Sequence, residues 1–403
     1  VEAFLEIFDR AVAARLRTTG KLGAELSGGL DSSSVTASAA RLLALQGQLL
    51  TAFTAVPRSG FNGKGPVGRL LDEGPAAAEV VACYDNLSHV LLDTRGSDLL
   101  RTIQQITGAQ DAPVQNGVNQ LWVSTILEQA RQRGISVVLQ GALGNATISY
   151  DGKVALTGMF RRGEWLRLAS TVSTLRDNGH ISFRIAAARA TSGLLPRWLQ
   201  RAVKPDMSRF SLDYSAINPR LAEQHHLLQN MRLSFYGDHP TEKAERAAFF
   251  ERFDFGPFNA AVRAVYRIDP RDPCGDKRVF DFCYSIPTEQ YLAGGMTRSL
   301  IRRAMRGRLP QSTLTRTVRG LQGADWYLAV GDALPDFRQE LARVEHSPAA
   351  NHYLDLPRLK SLAQALPSSG FETGEVQNAW NHALCEGIAF GYFLRQHDSP
   401  GQT

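Results

Sequence analysis

A short apolar stretch, Leu22 to Leu26, runs into the heptad Ser-Gly-Gly-Leu-Asp-Ser-Ser at Ser27 to Ser33, and the heptad runs into an Ala-, Leu- and Val-rich segment, Ser33 to Leu45. That order predicts a strand, a tight turn and a helix, with unpaired N–H groups and the positive end of the helix dipole aimed at one spot. Phosphate is the expected guest. Gly28 and Gly29 allow a tight turn and a close approach, Ser27, Ser32 and Ser33 supply hydroxyls, and Asp31 can hold Mg²⁺ beside the phosphates. No Gly-Lys-Ser/Thr follows, so the turn is not a Walker loop. The plainer alternative is a Gly/Ser turn that opens an ordinary helix.

The segments around this turn alternate in type. Strands are predicted near Leu22 to Leu26, Leu49 to Val56, Leu87 to Leu91 and Ile135 to Leu139. Helices are predicted at Val1 to Arg17, Ser33 to Leu45, Pro75 to Cys83, Ser97 to Ile106 and Asn119 to Arg133. This alternation predicts an α/β chain with a doubly wound, mainly parallel sheet, and ligands at the strand C-terminal ends. Beyond about Tyr150 strand signals fade, so residues 1–150 read as the α/β nucleotide-binding core and 151–403 as a mainly helical remainder.

Hydrophobic residues make up 43% and charged residues 21%, which excludes extensive disorder. The formal charge of +6 is diffuse and does not call for nucleic acid. Cys83, Cys274, Cys283 and Cys385 show no CxxC spacing and read as free thiols in a reducing compartment. With no long apolar run and no signal-peptide pattern, a cytoplasmic protein that is not integral to a membrane is expected.

Two further glycine-rich segments bear on a site. The stretch Arg58 to Gly74 holds five glycines and reads either as a lid, with Lys64 and Arg69 in reach of an anion, or as an exposed connector. The stretch Leu139 to Gly152, LQGALGNATISYDG, follows the fourth strand, where Gly141 and Gly144 would let it close over the first turn.

The heptad resembles the loop of the ATP-pyrophosphatase superfamily, which implies an adenine nucleotide α-hydrolase-like fold and cleavage of ATP between the α and β phosphates. The second loop resembles the Ser-Gly-Glu-Gly-Ala-Asp-Glu loop of the asparagine synthetases, and Arg271 to Arg303 resembles their Arg-x-Pro-Phe-Leu-Asp segment, turn and lysine-bearing helix. By that resemblance the family's glutamate base falls on Ala142, its metal-binding aspartate on Asn145 and its catalytic lysine on Arg298. Gly144-Asn145-x-Thr147-x-Ser149 is similar to the lasso-peptide cyclases, a branch of that family. TAFTAVP at Thr51, GRLLDEGPAAAEV at Gly68, NQLW at Asn119 and RGLQGADW at Arg319 fit the same branch.

The resemblance implies an ATP- and Mg²⁺-dependent synthetase that adenylates an Asp or Glu side chain of a precursor peptide and closes it on the N-terminal amine. Leu26, Ser27, Gly28, Gly29, Asp31, Ser32, Ser33, Ala55, Gln140, Gly141, Gly144 and Asn145 would bind nucleotide, with Asp31 on the metal. Arg298 and Asp31 would be catalytic. Arg298 would stabilise charge without trading protons. Asp72, Glu73, Asn119 and Trp122 are substrate candidates, although Asp72 and Glu73 also suit a helix start and Trp122 suits a core. Arg298, Arg302 and Arg306 fall at spacing for one helix face, where a solvated basic surface is the alternative. A leader peptidase and a leader-binding protein are the implied partners. No catalytic N-terminal cysteine stands in this chain, so a glutaminase-like domain is expected to be absent from it. The competing functions are asparagine or another small-molecule amide or β-lactam synthesis, a tRNA-modifying ATPase, and a degenerate scaffold.

Overall fold

In the computed structural model, which describes residues 1–66, 68–179, 181–191, 214–227, 244, 247 and 254–398, six strands come first in chain order. They are β1 (Lys21–Glu25), β2 (Leu50–Ala55), β3 (Arg69–Leu70), β4 (Leu87–Leu92), β5 (Ile135–Leu139) and β6 (Asp269–Arg271). All but β3 form one sheet in the order β4-β2-β1-β5-β6, and every pairing in it is parallel.

A parallel sheet must be covered on both faces, and the alternation of side chains assigns each face to its helices. Leu22, Ala24 and Leu26 from the β1 region and Leu50 and Ala52 from β2 join a core with Phe4, Phe8 and Val12 of α1 (Glu2–Arg15) and Val35 and Leu43 of α2 (Leu30–Ala44). Phe53 points the other way. It packs with Ile103 and Ile106 of α4 (Leu99–Gln110), with Leu121 and Leu127 of α5 (Gly117–Gln132), and with residues of the helices Trp326–Val344 and Cys385–His397. Between β2 and β4 lies α3 (Gly74–Val81), whose Pro75 suits a first turn.

Chain order moves outward from β1 through β2 to β4, then crosses to β5 and β6. The reversal falls between β1 and β5. Loops leaving neighbouring strands in opposite directions open a crevice there, so the turn after β1 and the loop after β5 face one ligand space.

Two expectations need correction. The helix after the heptad begins at Leu30, not Ser33, so Asp31 and Ser32 sit in its first turn. Strand structure also does not end near Tyr150, since β6 supplies the sheet's fifth strand from beyond it. Three residues, Asp-Pro-Arg, give no alternation to read, and proline is tolerated because β6 is an edge strand. Elsewhere the predicted strands and helices are present with ends shifted by up to four residues. Among the described residues, no helix is long and apolar enough to cross a membrane.

Phe53 is fully buried where the sheet meets α4 and α5. Phe53→Ala is expected to cost about 3–5 kcal/mol, by lost transfer energy and a residual cavity. The denaturation midpoint against the unchanged chain measures it.

Candidate active site

The N-cap of α2 is Gly29, which has no side chain to cap with, so the first-turn N–H groups of Leu30, Asp31 and Ser32 are left for a ligand. Hydroxyls hold the turn in shape. Ser27 N–H donates to Ser32 Oγ at 3.1 Å, the Ser27 and Ser32 hydroxyls lie 2.8 Å apart, and Gly29 N–H donates to Ser27 Oγ at 3.3 Å. Gly28 has φ +66° and its backbone touches α3, where a Cβ would stand 2.6 Å from the Ala76 side chain. The turn is a rigid, concave row of donors, as a polyphosphate needs.

The loop after β5 closes onto this turn. A Cβ on Gly144 would lie 2.3 Å from the Asp31 carboxyl, and one on Gly141 would lie 2.9 Å from the Asp31 and Ser32 backbone. Asp272 clamps the loop from the third segment: its Oδ2 accepts Leu143 N–H at 2.7 Å and its Oδ1 accepts Cys274 N–H at 2.8 Å. Arg298 follows a hairpin of β7 (Leu292–Ala293) and β8 (Met296–Thr297) turned by Gly294 and Gly295, and itself takes φ +58° ahead of the helix Ser299–Ala304. Its Nη2 donates to Asn145 Oδ1 at 2.7 Å.

These elements wall a cavity of about 970 Å³. Leu26, Ser27, Gly28, Gly29, Asp31, Ser32, Ala55, Glu73, Asn119, Trp122, Gln140, Gly141, Asn145 and Arg298 all line it. Three expected site residues do not. Ser33 is fully buried inside α2, Gly144 is packed behind Asp31, and Asp72 spends its Oδ1 on Gly74 N–H at 2.8 Å in the turn before α3. Ser33 lies inward because the helix starts earlier than its sequence placed it; Gly144 serves the site by lacking a side chain.

The row of arginines also differs from expectation. The helix spans Ser299–Ala304, so Arg298 precedes it and Arg306 follows it. Arg302 is buried, not solvated, and its guanidinium donates to the carbonyls of Thr297, Leu314 and Arg316. Burial, and then the charge of Arg298, lowers its pKa to about 10. It fixes the segments that carry Arg298 and Arg316.

The Arg58 to Gly74 segment joins the wall through β3, which pairs in parallel with β9 (Arg319–Gly320). Arg69 lines the cavity and Lys64 does not. Gly320 leaves room there for the Glu73 carboxyl, which a Cβ would push aside. Arg316 donates to the carbonyl of Gly28 at 3.0 Å and its charge opposes burial at Glu73, whose pKa is raised to about 7 by burial and then by Asp72.

Asp31 carries the metal question. Burial pushes its pKa up, opposed by the Ser149 hydroxyl and by the charges of Arg298 and Arg319. Its Oδ1 is buried without a well-formed hydrogen bond. An orphaned carboxylate oxygen beside a phosphate cradle fits Mg²⁺ held by one carboxylate and by phosphate oxygens, the usual habit of that ion. Among the described residues no group of three or more His, Cys, Asp or Glu side chains is placed to hold a metal without such help.

Reading the sequence left out Glu25, Asp272 and Phe258, all on the cavity wall. The Gly294-Gly295 pair between two short apolar runs was a hairpin signal that would have placed Arg298 outside a helix.

Comparison with protein-family models matches residues 3–387 to the asparagine synthase model. The chain belongs to the asparagine synthase family. Enzymes of the asparagine synthase family use ATP, and the chemistry of the family is ATP-dependent amide-bond formation, that of a carbon–nitrogen ligase. No curated protein matches the chain.

Asp31→Ala is expected to abolish AMP release while leaving the unfolding transition in place, which nucleotide analysis and thermal melting read together. Gly144→Ala should lower both AMP release and melting temperature, because its methyl displaces the loop from Asp31.

Proposed function

We propose that this family member is a macrolactam synthetase of the lasso-peptide cyclase type, which activates an Asp or Glu side chain of a peptide and closes it on the peptide's N-terminal amine. The observation that carries the reading is the Asn145–Arg298 pair beside Ala142. Where the family resemblance places a metal-binding aspartate, a catalytic lysine and a glutamate base, this chain has a neutral amide, an arginine and a methyl group. The motifs GRLLDEG and RGLQGADW, which fit the cyclase branch, meet as β3 and β9 at one wall of the cavity.

The chemistry follows from the charges. A carboxylate resists amine attack until its oxygen becomes part of a leaving group, so the peptide carboxylate attacks the α phosphate and diphosphate departs into the donors of Ser27 to Ser32. Mg²⁺ held by Asp31 and the phosphates would neutralise charge there. Arg298, partly buried and held by Asn145, stays a fixed cation beside Asp31 and stabilises the adenylate or the oxyanion formed on amine attack. An α-amine with a pKa of about 8 is partly neutral near pH 7. Bringing it to the acyl carbon contributes several kcal/mol through orientation alone.

Small-molecule amide synthesis is the second reading, because it uses the same activation. A linear peptide with an internal Asp or Glu, incubated with ATP and Mg²⁺, is expected to lose one water and yield AMP and diphosphate. AMP formation only with free aspartate and ammonia would instead select asparagine synthesis. Arg298→Ala should slow ring closure far more than it weakens ATP binding; equal losses in closure rate and nucleotide affinity would show that the guanidinium only holds nucleotide.

A further inference from the structure

Ring closure leaves a proton to be removed. When the amine attacks the acyl carbon, the new C–N bond leaves nitrogen cationic, and a proton must go before or as the C–O bond to AMP breaks. Ala142 cannot take it. The cavity wall holds other carboxylates, and their surroundings decide which is available. Asp31 faces Arg298 and the phosphate cradle, and both oxygens of Asp272 accept backbone N–H groups. Asp151 pairs with Lys153 at 3.6 Å, Glu73 lies by Arg316, and Asp325 Oδ2 accepts the Arg58 N–H.

Glu25 differs from all of these. It ends β1, in register with Phe53 of β2, so its side chain leaves the sheet on the α4 and α5 face, opposite the α2 core. Gln140 Nε2 donates to its Oε1 at 2.8 Å. Among the described residues no Arg, Lys or His pairs with it. The adjoining wall is largely apolar, with Phe53, Val118, Val123, Ile126 and Phe258. On α5 the buried Trp122 Nε1 and Gln120 Oε1 have no hydrogen-bond partner among the described residues, so this wall has hydrogen-bonding capacity to spare.

We propose that Glu25, held by Gln140 on the α5 side of the cavity, receives the attacking amine and accepts its proton as the amide forms. This rests on the synthetase reading above and names the group that acts on the nucleophile. The balance is simple: the amine nitrogen and acyl carbon form a bond, the acyl–phosphate C–O bond breaks with its electron pair leaving on AMP, and the N–H proton passes to a Glu25 oxygen. The position is joined to the activation site through one loop, because Gln140 precedes the Gly141 that packs on Asp31. Burial and, less strongly, the charge of Asp272 raise the Glu25 pKa to about 7 against the Gln140 hydrogen bond, within reach of an α-amine.

The test uses the full chain with ATP, Mg²⁺ and a linear peptide, comparing Glu25→Gln and Glu25→Asp with the unchanged protein. Glu25→Gln is expected to leave peptide-dependent ATP–diphosphate exchange within about twofold and to slow ring closure about a hundredfold. It should also flatten the acidic limb of the closure pH profile, with Glu25→Asp recovering part of the rate. Equal losses in exchange and closure would make Glu25 a nucleotide or folding residue, and unchanged closure would also overturn the proposal. Thermal melting with glycinamide as an amine probe separates this from failure of the synthetase reading. If the unchanged protein closes no peptide, that reading falls, while glycinamide should still raise its melting temperature and not that of Glu25→Gln; no difference between them overturns the Glu25 assignment. Melting without probe supplies the sign. Since folding raises this carboxyl's pKa from 4.5 to about 7, the unchanged protein should lose stability relative to Glu25→Gln as pH rises through that interval.

Discussion

The contact on which the site depends is the approach of two glycines to the first turn of a helix. Gly141 and Gly144 carry the loop after β5 so near Asp31 and Ser32 that a methyl at either position would overlap them. Protein interiors do not compress to absorb such overlap. The approach makes the phosphate turn of one strand and the loop of its neighbour into a single cavity. It also strips water from Asp31, which is why a carboxylate beside two arginines still has its pKa pushed up. A side chain at Gly144 would push the Asn145–Arg298 pair from the turn, because Asn145 is next to Gly144.

The carboxylates around the cavity show how environment assigns roles to one chemical group. Asp272 spends both oxygens on backbone N–H groups and acts as a clamp, yet burial and the nearby Asp31 still raise its pKa to about 6. Asp276, four residues past the clamp in the same segment of the sequence, pairs with Arg15 and Arg278 and fastens α1 to the third segment. Its pKa is driven down by the hydrogen bonds from Arg278. Arg271 likewise turns from the cavity and donates to the carbonyls of Arg15 and Arg17. The third family segment therefore positions the site through Asp272 and structural anchors, while Arg298 reaches the cavity wall from beyond a hairpin.

What could be read in advance follows from which signals are local. The heptad, the alternation of strand and helix, and the glycine loop after the fourth strand each carry their meaning within about fifteen residues, and the structure has each at its expected place in the sheet. Ser33 lies off the cavity wall for a different reason. Where α2 starts decides whether a hydroxyl faces ligand or core, and sequence places helix ends only to within a few residues. β6 was missed because an edge strand of three residues takes its identity from its neighbour β5 and not from its own pattern. Arg302 looked like one of a row of surface charges, and only the carbonyls of Thr297, Leu314 and Arg316 make it internal.

Glu25 was unreadable for a related but stricter reason. A single carboxylate after Gly23 and Ala24 at a strand end looks like the polar side of an alternating pattern, and its meaning depends on what the other pleat face covers. Leu22, Ala24 and Leu26 commit one face of β1 to α1 and α2, the same layer that presents the phosphate turn. The next residue in register must then face α4 and α5, where Phe53 is already buried. The sheet thereby divides the cavity: charge-neutralising groups lie at the α2 end, and a carboxylate that pairs with no cation among the described residues lies by apolar residues at the α5 side. Activation of an acid needs the first environment and capture by an amine needs the second. Period-two geometry sends alternate residues of β1 to opposite faces, while Gln140 and Gly141, adjacent in the chain, touch Glu25 and Asp31 respectively.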